Sequence, residues 1–144
     1  MAAMTQPVHV DIGALTAEEC LAYLATPGLG RVAVSVRALP SILPVRFLLD
    51  SAGEILFRAR AGSALATGTT QTVVAFEADG VDRSNGVAHA WSVVATGLAR
   101  HLPPDDARQR IADTALRHWS EDRSDVLVAL SPRAVAGRRV PSDW

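Results

Sequence analysis

From Gly30 to His101, the apolar residues of this 144-residue chain recur with a period of two, broken at short intervals by turn signals. Val32, Val34 and Val36 alternate with Ala33, Ser35 and Arg37, as a strand with one buried face requires. Leu39-Pro40 predicts a turn and Ile42 to Leu49 a second strand. Asp50-Ser51-Ala52-Gly53 is a hairpin signal, leading into a third strand from Glu54 to Arg60. Thr72 to Ala78 and Ala88 to His101 read as two more strands, separated by Asp79-Gly80 and by Asp82 to Gly86. Asp125 to Leu130 is the sixth, with Ser131-Pro132-Arg133 predicted as a turn leading to Gly137-Arg138-Arg139. Near-sequential antiparallel strands of this size imply a small closed barrel whose ends are plugged by helices.

Three helices fit between and around these strands. Thr16 and Glu19 form a capping box, with Leu15 and Cys20 at the staple positions. That helix should run to about Leu24 and stop before Pro27-Gly28. Ser63 opens a short helix through Ala64, Leu65 and Ala66. Pro103-Pro104-Asp105-Asp106 starts a third, with proline and acid in its first turn, expected to extend to about Trp119. Residues 1–144 read as one domain, with residues 1–14 as a loosely ordered N-terminal arm.

Composition narrows the class. With 49% hydrophobic against 20% charged residues, the chain can bury a core without disulfides or metal. A formal net charge of -1 argues against nucleic acid as a general partner. The single cysteine, Cys20, allows no internal disulfide, no 18-residue apolar run suggests a membrane span, and the N-terminus has no signal-peptide pattern. A soluble cytoplasmic protein is the expectation. All 14 basic residues are arginine, so phosphate contacts would come from Arg, backbone N–H or hydroxyls.

One constellation points to a ligand. Arg58 and Arg60 lie two residues apart on one strand face, just ahead of the Gly62-Ser63 turn, with Trp91 on a later strand. That combination suits a phosphorylated, flat, aromatic cofactor, and flavin is the leading candidate. By spacing alone, a solvated strand face is the commoner reading of two arginines, a helix N-cap the simpler one of Ser63, and a core or interface aromatic the commoner one of Trp91. His9, His89, His101 and His118 lack metal-ligand spacing, so no metal is expected. Asp105-Asp106 is a helix start, Cys20 a small core residue, and Trp144 a terminal residue. No Ser-His-Asp, Cys-His or paired-carboxylate constellation stands out. Flavin chemistry needs none, because the cofactor carries the electrons and the protein supplies binding, orientation and electrostatics.

The segments Gly30-Arg31-Val32-Ala33-Val34, Pro44-Val45-Arg46-Phe47, Leu56-Phe57-Arg58, Gly62-Ser63, Val74-Ala75-Phe76-Glu77, Trp91-Ser92-Val93 and Gly137-Arg138-Arg139 carry a further signal in their order and spacing. From Leu15 to Val140 the chain resembles the pyridoxamine 5'-phosphate oxidase-like proteins with the FMN-binding split-barrel fold. The resemblance implies a mainly β protein with a few helices, a split β-barrel of about six antiparallel strands. It further implies a homodimer with a flavin in each of two clefts between subunits. In such proteins the segment matching Val45, Arg46 and Phe47 lies along the isoalloxazine ring. Those matching Arg58-Ala59 and Gly62-Ser63-Ala64 hold the ribityl phosphate. Trp91 and Ser92 match positions that approach the flavin, often from the partner subunit.

One residue departs from the pattern. The family usually places lysine or arginine after Gly-Ser, and here that position is Ala64. Losing a charge-assisted contact costs on the order of 1.5–3 kcal/mol, about one to two decades of affinity. Arg60 is placed to compensate, and Arg46 is a second candidate donor. The resemblance thus implies an FMN-dependent oxidoreductase acting on a small molecule, with the residues above as cofactor ligands. Its alternatives are a reductase using the deazaflavin F420, whose polyglutamyl tail calls for a local basic patch such as Arg138-Arg139, and a non-enzymatic dimer binding flavin or haem. Pyridoxamine phosphate oxidation itself is not expected, since the chain is short for that enzyme and shows no substrate-phosphate cluster.

Overall fold

The computed structural model describes residues 13–84, 86–114, 116–117 and 124–140. Seven strands and three helices follow in the order β1 (Ala14–Leu15), α1 (Ala17–Leu24), β2 (Gly28–Val36), β3 (Leu39–Leu49), β4 (Ile55–Arg60), α2 (Ala64–Gly68), β5 (Thr72–Asp82), β6 (His89–His101), α3 (Pro104–Ile111) and β7 (Asp125–Val140). The sheet order is β1-β7-β4-β3-β2-β5-β6, and β6 also pairs with β7, which closes six antiparallel strands into a barrel. The split-barrel expectation therefore holds.

The inner face carries the core. Val32 and Val34 of β2, Val45 and Phe47 of β3, Ile55 and Phe57 of β4, Phe76 of β5 and Val93 of β6 alternate inward and pack together. Phe47 and Phe76 meet edge to face at 4.8 Å between ring centres. Cys20 and Leu24 of α1 complete this core from one end. The capping box is present as read, with Thr16 Oγ1 accepting from the Glu19 amide and Glu19 Oε1 from the Thr16 amide. A second, smaller core lies on the outer face, where Leu48, Leu56, Leu127 and Ala129 are covered by Leu102, Ile111 and Leu116.

Four boundaries differ from the sequence reading. The turn after β2 is at Arg37-Ala38, both left-handed at φ 53° and 62°, and Leu39-Pro40 already belongs to β3. That two-residue hairpin twists with its strands, and paired cross-strand contacts outweigh the strain of two non-glycine residues. β5 runs on past Asp79-Gly80 to Asp82, because Gly80 lies opposite Trp91, and a side chain there would meet the indole at 2.9 Å. The supposed turn at Ser131-Pro132-Arg133 is a bulge inside one long β7: Thr96 pairs with Ala134 and Gly97 with Pro132, leaving Arg133 as the extra residue. Gly97 permits it, since a Cβ there would sit 1.9 Å from the Ser131 carbonyl oxygen. Finally, α3 ends at Ile111 rather than near Trp119, which is outside the described residues. The Thr114 hydroxyl and amide both donate to the Ile111 carbonyl, offering it a turn in place of another helical rung.

Ala14 and Leu15 pair with Arg138 and Gly137, so the described part of the N-terminal region is tied to the end of β7. Among the described residues, no helix is long and apolar enough to cross a membrane.

Candidate functional site

β3 brings the first group of candidate residues to one place. Val45 and Phe47 point into the core, while Arg46 is exposed on the outer face beside buried Leu48. Where the end of β3 passes the start of β2, a cleft of about 500 Å³ opens, lined by Pro27, Gly28, Leu29, Arg46, Phe47, Leu48 and Leu116. Its size and mixed lining suit a small-molecule ligand.

β4 brings the second group alongside. Its register to β3 sets Leu48 against Leu56 and Phe47 against Phe57, where the β3–β4 ladder ends. Arg58 and Arg60 share the outer face of β4, as their spacing required, and Ala59 between them is buried in the core, leaving only its backbone for a ligand. The Arg58 side chain is 14% exposed, and its guanidinium meets Asp125 Oδ2 of β7 at 3.0 Å. Arg60 is exposed, and its carbonyl accepts the Ser63 amide in the turn that opens α2. Ser63 is the N-cap: its Oγ accepts from the Ala66 amide, and Ala64, exposed, is the first helical residue. Arg58, Arg60, Ser63 and Ala64 thus follow one another around the end of β4 and the start of α2, while Arg46 lines the cleft from β3, the strand that pairs with β4.

Trp91 and Ser92 are elsewhere in the chain's own barrel. β6 pairs them with Arg139 and Arg138, whereas Arg58 pairs with Leu127, twelve residues back along β7. An extended strand of that length spans roughly 40 Å. Trp91 points to the inner side and stacks on Tyr23 at 4.5 Å, while the Ser92 hydroxyl on the outer face donates to Glu77. A single chain does not bring these two residues to Arg58.

Three features were missed from sequence. Asp125, the partner of Arg58, lies 67 positions away and carries no local signal. The cleft walls at Pro27 to Leu29 and Leu116 are ordinary turn and core residues until the fold aligns them. The third is a polar cluster at the α1 end, where Tyr23 donates to Asp82 at 2.7 Å and stands 3.3 Å from His89 Nε2. The Ser84 hydroxyl and amide, with Tyr23, hold the Asp82 carboxyl well below its usual range, while burial and then Asp82 push the Tyr23 phenol up.

Electrostatics separate two arginine groups on the outer face. Glu54 accepts from both Arg100 and Arg110, and Arg110 also reaches Asp50, fastening α3 over the β3–β4 hairpin. Arg100 above all, and then Arg110, hold the Glu54 carboxyl at about 2 against an ordinary 4.5 despite its burial. Asp125 is less well served: its Oδ1 is buried with no hydrogen-bond partner among the described residues. An orphaned acceptor calls for a donor such as a hydroxyl. Arg60, exposed before the Ser63 turn, and the mostly covered Arg58 are donors of the kind a cofactor phosphate would take.

A model of the pyridoxamine 5'-phosphate oxidase family matches residues 16–139. The chain belongs to that family. An uncharacterized protein of Mycobacterium tuberculosis is 33% identical over 141 residues, covering 92% of this chain and 88% of that protein. The structure of an FAD-binding protein from Mycobacterium smegmatis is similar with a TM-score of 0.72 at 29% identity, covering 88% of this chain and 96% of that one. An FAD-binding protein from Mesorhizobium loti shares the fold at 20% identity, with a TM-score of 0.71 and coverage of 89% and 97%.

Proposed function

We propose that this chain is a flavin-dependent oxidoreductase that works on a small molecule in a cleft between two copies of itself. The carrying observation is the cleft beside Phe47 and Leu48, with Arg46 on its wall and Arg58 one strand away. Its support from outside the chain is the family match and the FAD-binding Mycobacterium smegmatis protein. When bound, the flavin supplies the two-electron chemistry that no side chain here offers.

The chain's own residues bind and orient. Backbone groups of Val45, Arg46 and Phe47 run along the ring edge, where N–H donors near N1 or N5 tune the potential. Arg58 and Arg60 neutralise the phosphate, with the Ser63 turn beside it. Leu48 and Leu116 give the cleft an apolar, water-poor floor, which strengthens every polar contact to the ring.

A second copy completes the site. The outer face of β2, β3, β5 and β6 exposes Leu29 (59%), Ile42 (72%) and Val73 (60%), with Val94 beside them, around the Arg31–Glu77 ion pair. Apolar area of this kind marks an interaction surface, and it adjoins the cleft through Leu29 and Arg46. A partner seated there brings a second Ser92 strand toward a flavin that one chain cannot reach with its own.

The test is an absorption spectrum of the purified protein, followed by flavin titration and then by mixing with NADPH or another donor. Flavin bands that bleach with a donor and return with an acceptor, over many turnovers, are expected. Bound flavin that never turns over with any donor–acceptor pair contradicts the enzymatic part. A colourless protein that takes up no flavin contradicts the whole.

A further inference from the structure

Of the chain's ten glycines, the fold itself requires nine. Gly53, Gly62 and Gly86 hold left-handed backbone, with φ between 75° and 79°. Six others sit where a Cβ would come closer than 3.0 Å to a neighbouring atom, as at Gly30 against the Phe76 ring. Gly28 alone meets neither condition. Its φ lies outside the left-handed region, and a Cβ there would touch one atom, Phe47 Cε1, at an ordinary 3.9 Å. Alanine fits this position in both backbone and packing, and glycine weakens a strand, so the folding of β2 gives no reason for it.

What Gly28 does border is the cleft. It opens β2 opposite Phe47, and both line the cavity of about 500 Å³ together with Leu48 and Leu116. Apart from its chain neighbours, Phe47 contributes the only atom within 4 Å of the place a Cβ would take. A larger residue at this position therefore projects into the mouth of the cleft rather than into the core. Bare backbone in a strand lets a flat ligand come close to the chain.

We propose that Gly28 is a specificity-determining residue of this cleft: its lack of a side chain leaves room for the flat ring of the ligand, and residue size at position 28 sets how well a flavin ring enters. The proposal rests on the flavin reading above and adds a residue of β2 to a site otherwise carried by β3 and β4.

The test titrates FMN and FAD into the full-length wild type, Gly28→Ala and Gly28→Val, following flavin fluorescence. Affinity should fall in the order glycine, alanine, valine, with Gly28→Val at least about tenfold weaker than wild type. The factor should be the same for FMN and FAD, which share the ring and differ beyond the phosphate. Without flavin, the melting temperature of Gly28→Ala should equal or exceed that of wild type, which separates an obstructed cleft from a damaged fold. A sharp fall in that temperature shows a folding role and overturns the inference. So does flavin uptake unchanged in both variants, or a loss confined to one of the two flavins, and either result leaves the flavin reading standing. Weaker uptake in a variant that also sediments as a lighter species overturns it too, since position 28 then serves the contact between copies. Wild type that binds neither flavin overturns the flavin reading and this inference with it.

Discussion

On the outer face of the barrel, Leu56 stands between two arginine groups of similar composition. On one side Arg100 and Arg110 converge on Glu54 and Asp50, two cations facing two carboxylates, each with a partner. On the other, among the described residues, Arg58 meets the single carboxylate of Asp125, one of whose oxygens is buried without a hydrogen-bond partner. The first group is complete in itself and fastens α3 across the hairpin that precedes β4. The second has more cations than described carboxylates, on the strand next to the one that carries the Arg46 wall of the cleft. Arginines on strands are therefore not read by spacing: a closed network holds the fold, and the unbalanced one is the pair we propose for the ligand's phosphate.

The contrast breaks most visibly at Glu54. Replacing it with glutamine leaves the half-buried Arg100 without its charge partner and Arg110 with Asp50 alone, and should cost about 3 kcal/mol in a urea unfolding titration. Flavin uptake should hardly change. Acid gives the same result by another route. With its folded pKa at about 2 and its ordinary value at 4.5, Glu54 contributes stability that is full above pH 4.5 and is lost as pH falls toward 2. The glutamine variant should lack that part of the acid-induced loss, and an identical pH profile for both proteins would show that Glu54 does not hold α3.

Arg58→Ala is the mirror experiment. Flavin affinity should fall by about one to two decades, the loss of one charge-assisted contact of roughly 1.5–3 kcal/mol. Circular dichroism should be unchanged. A smaller change comes from Tyr23→Phe, which keeps the stack on Trp91 and loses the hydrogen bond to Asp82; about 1 kcal/mol of stability is expected by thermal melting. The smallest is Arg31→Ala. An exposed pair with Glu77 is worth less than about 0.5 kcal/mol in one chain. A much larger loss, with a shift in sedimentation toward a lighter species, would sharpen the comparison by showing that this face lies against a second copy.

Much of the barrel was legible because period-two alternation reports burial directly: Val32 and Val34 are inward where the pattern put them. The capping box at Thr16 and Glu19 was equally local. The errors fell where pairing overrode local chemistry. Pro132 looks like a turn until Gly97 opposite accepts a bulge, and Arg37-Ala38 carries no glycine to announce a left-handed hairpin. At the site, the shared face of Arg58 and Arg60 was readable from their spacing. Asp125 was not, since it reaches Arg58 only through the β4–β7 ladder. Nor was the placement of Trp91, whose indole turns toward Tyr23 on a helix 68 residues earlier in the chain.

The most direct measurement titrates flavin into the wild-type protein, Arg58→Ala and Arg110→Ala side by side, following fluorescence quenching. Wild type should take up flavin at micromolar concentration or below, Arg110→Ala should match it where folded, and Arg58→Ala should bind at least about tenfold more weakly. Equal uptake by wild type and Arg58→Ala would contradict the account.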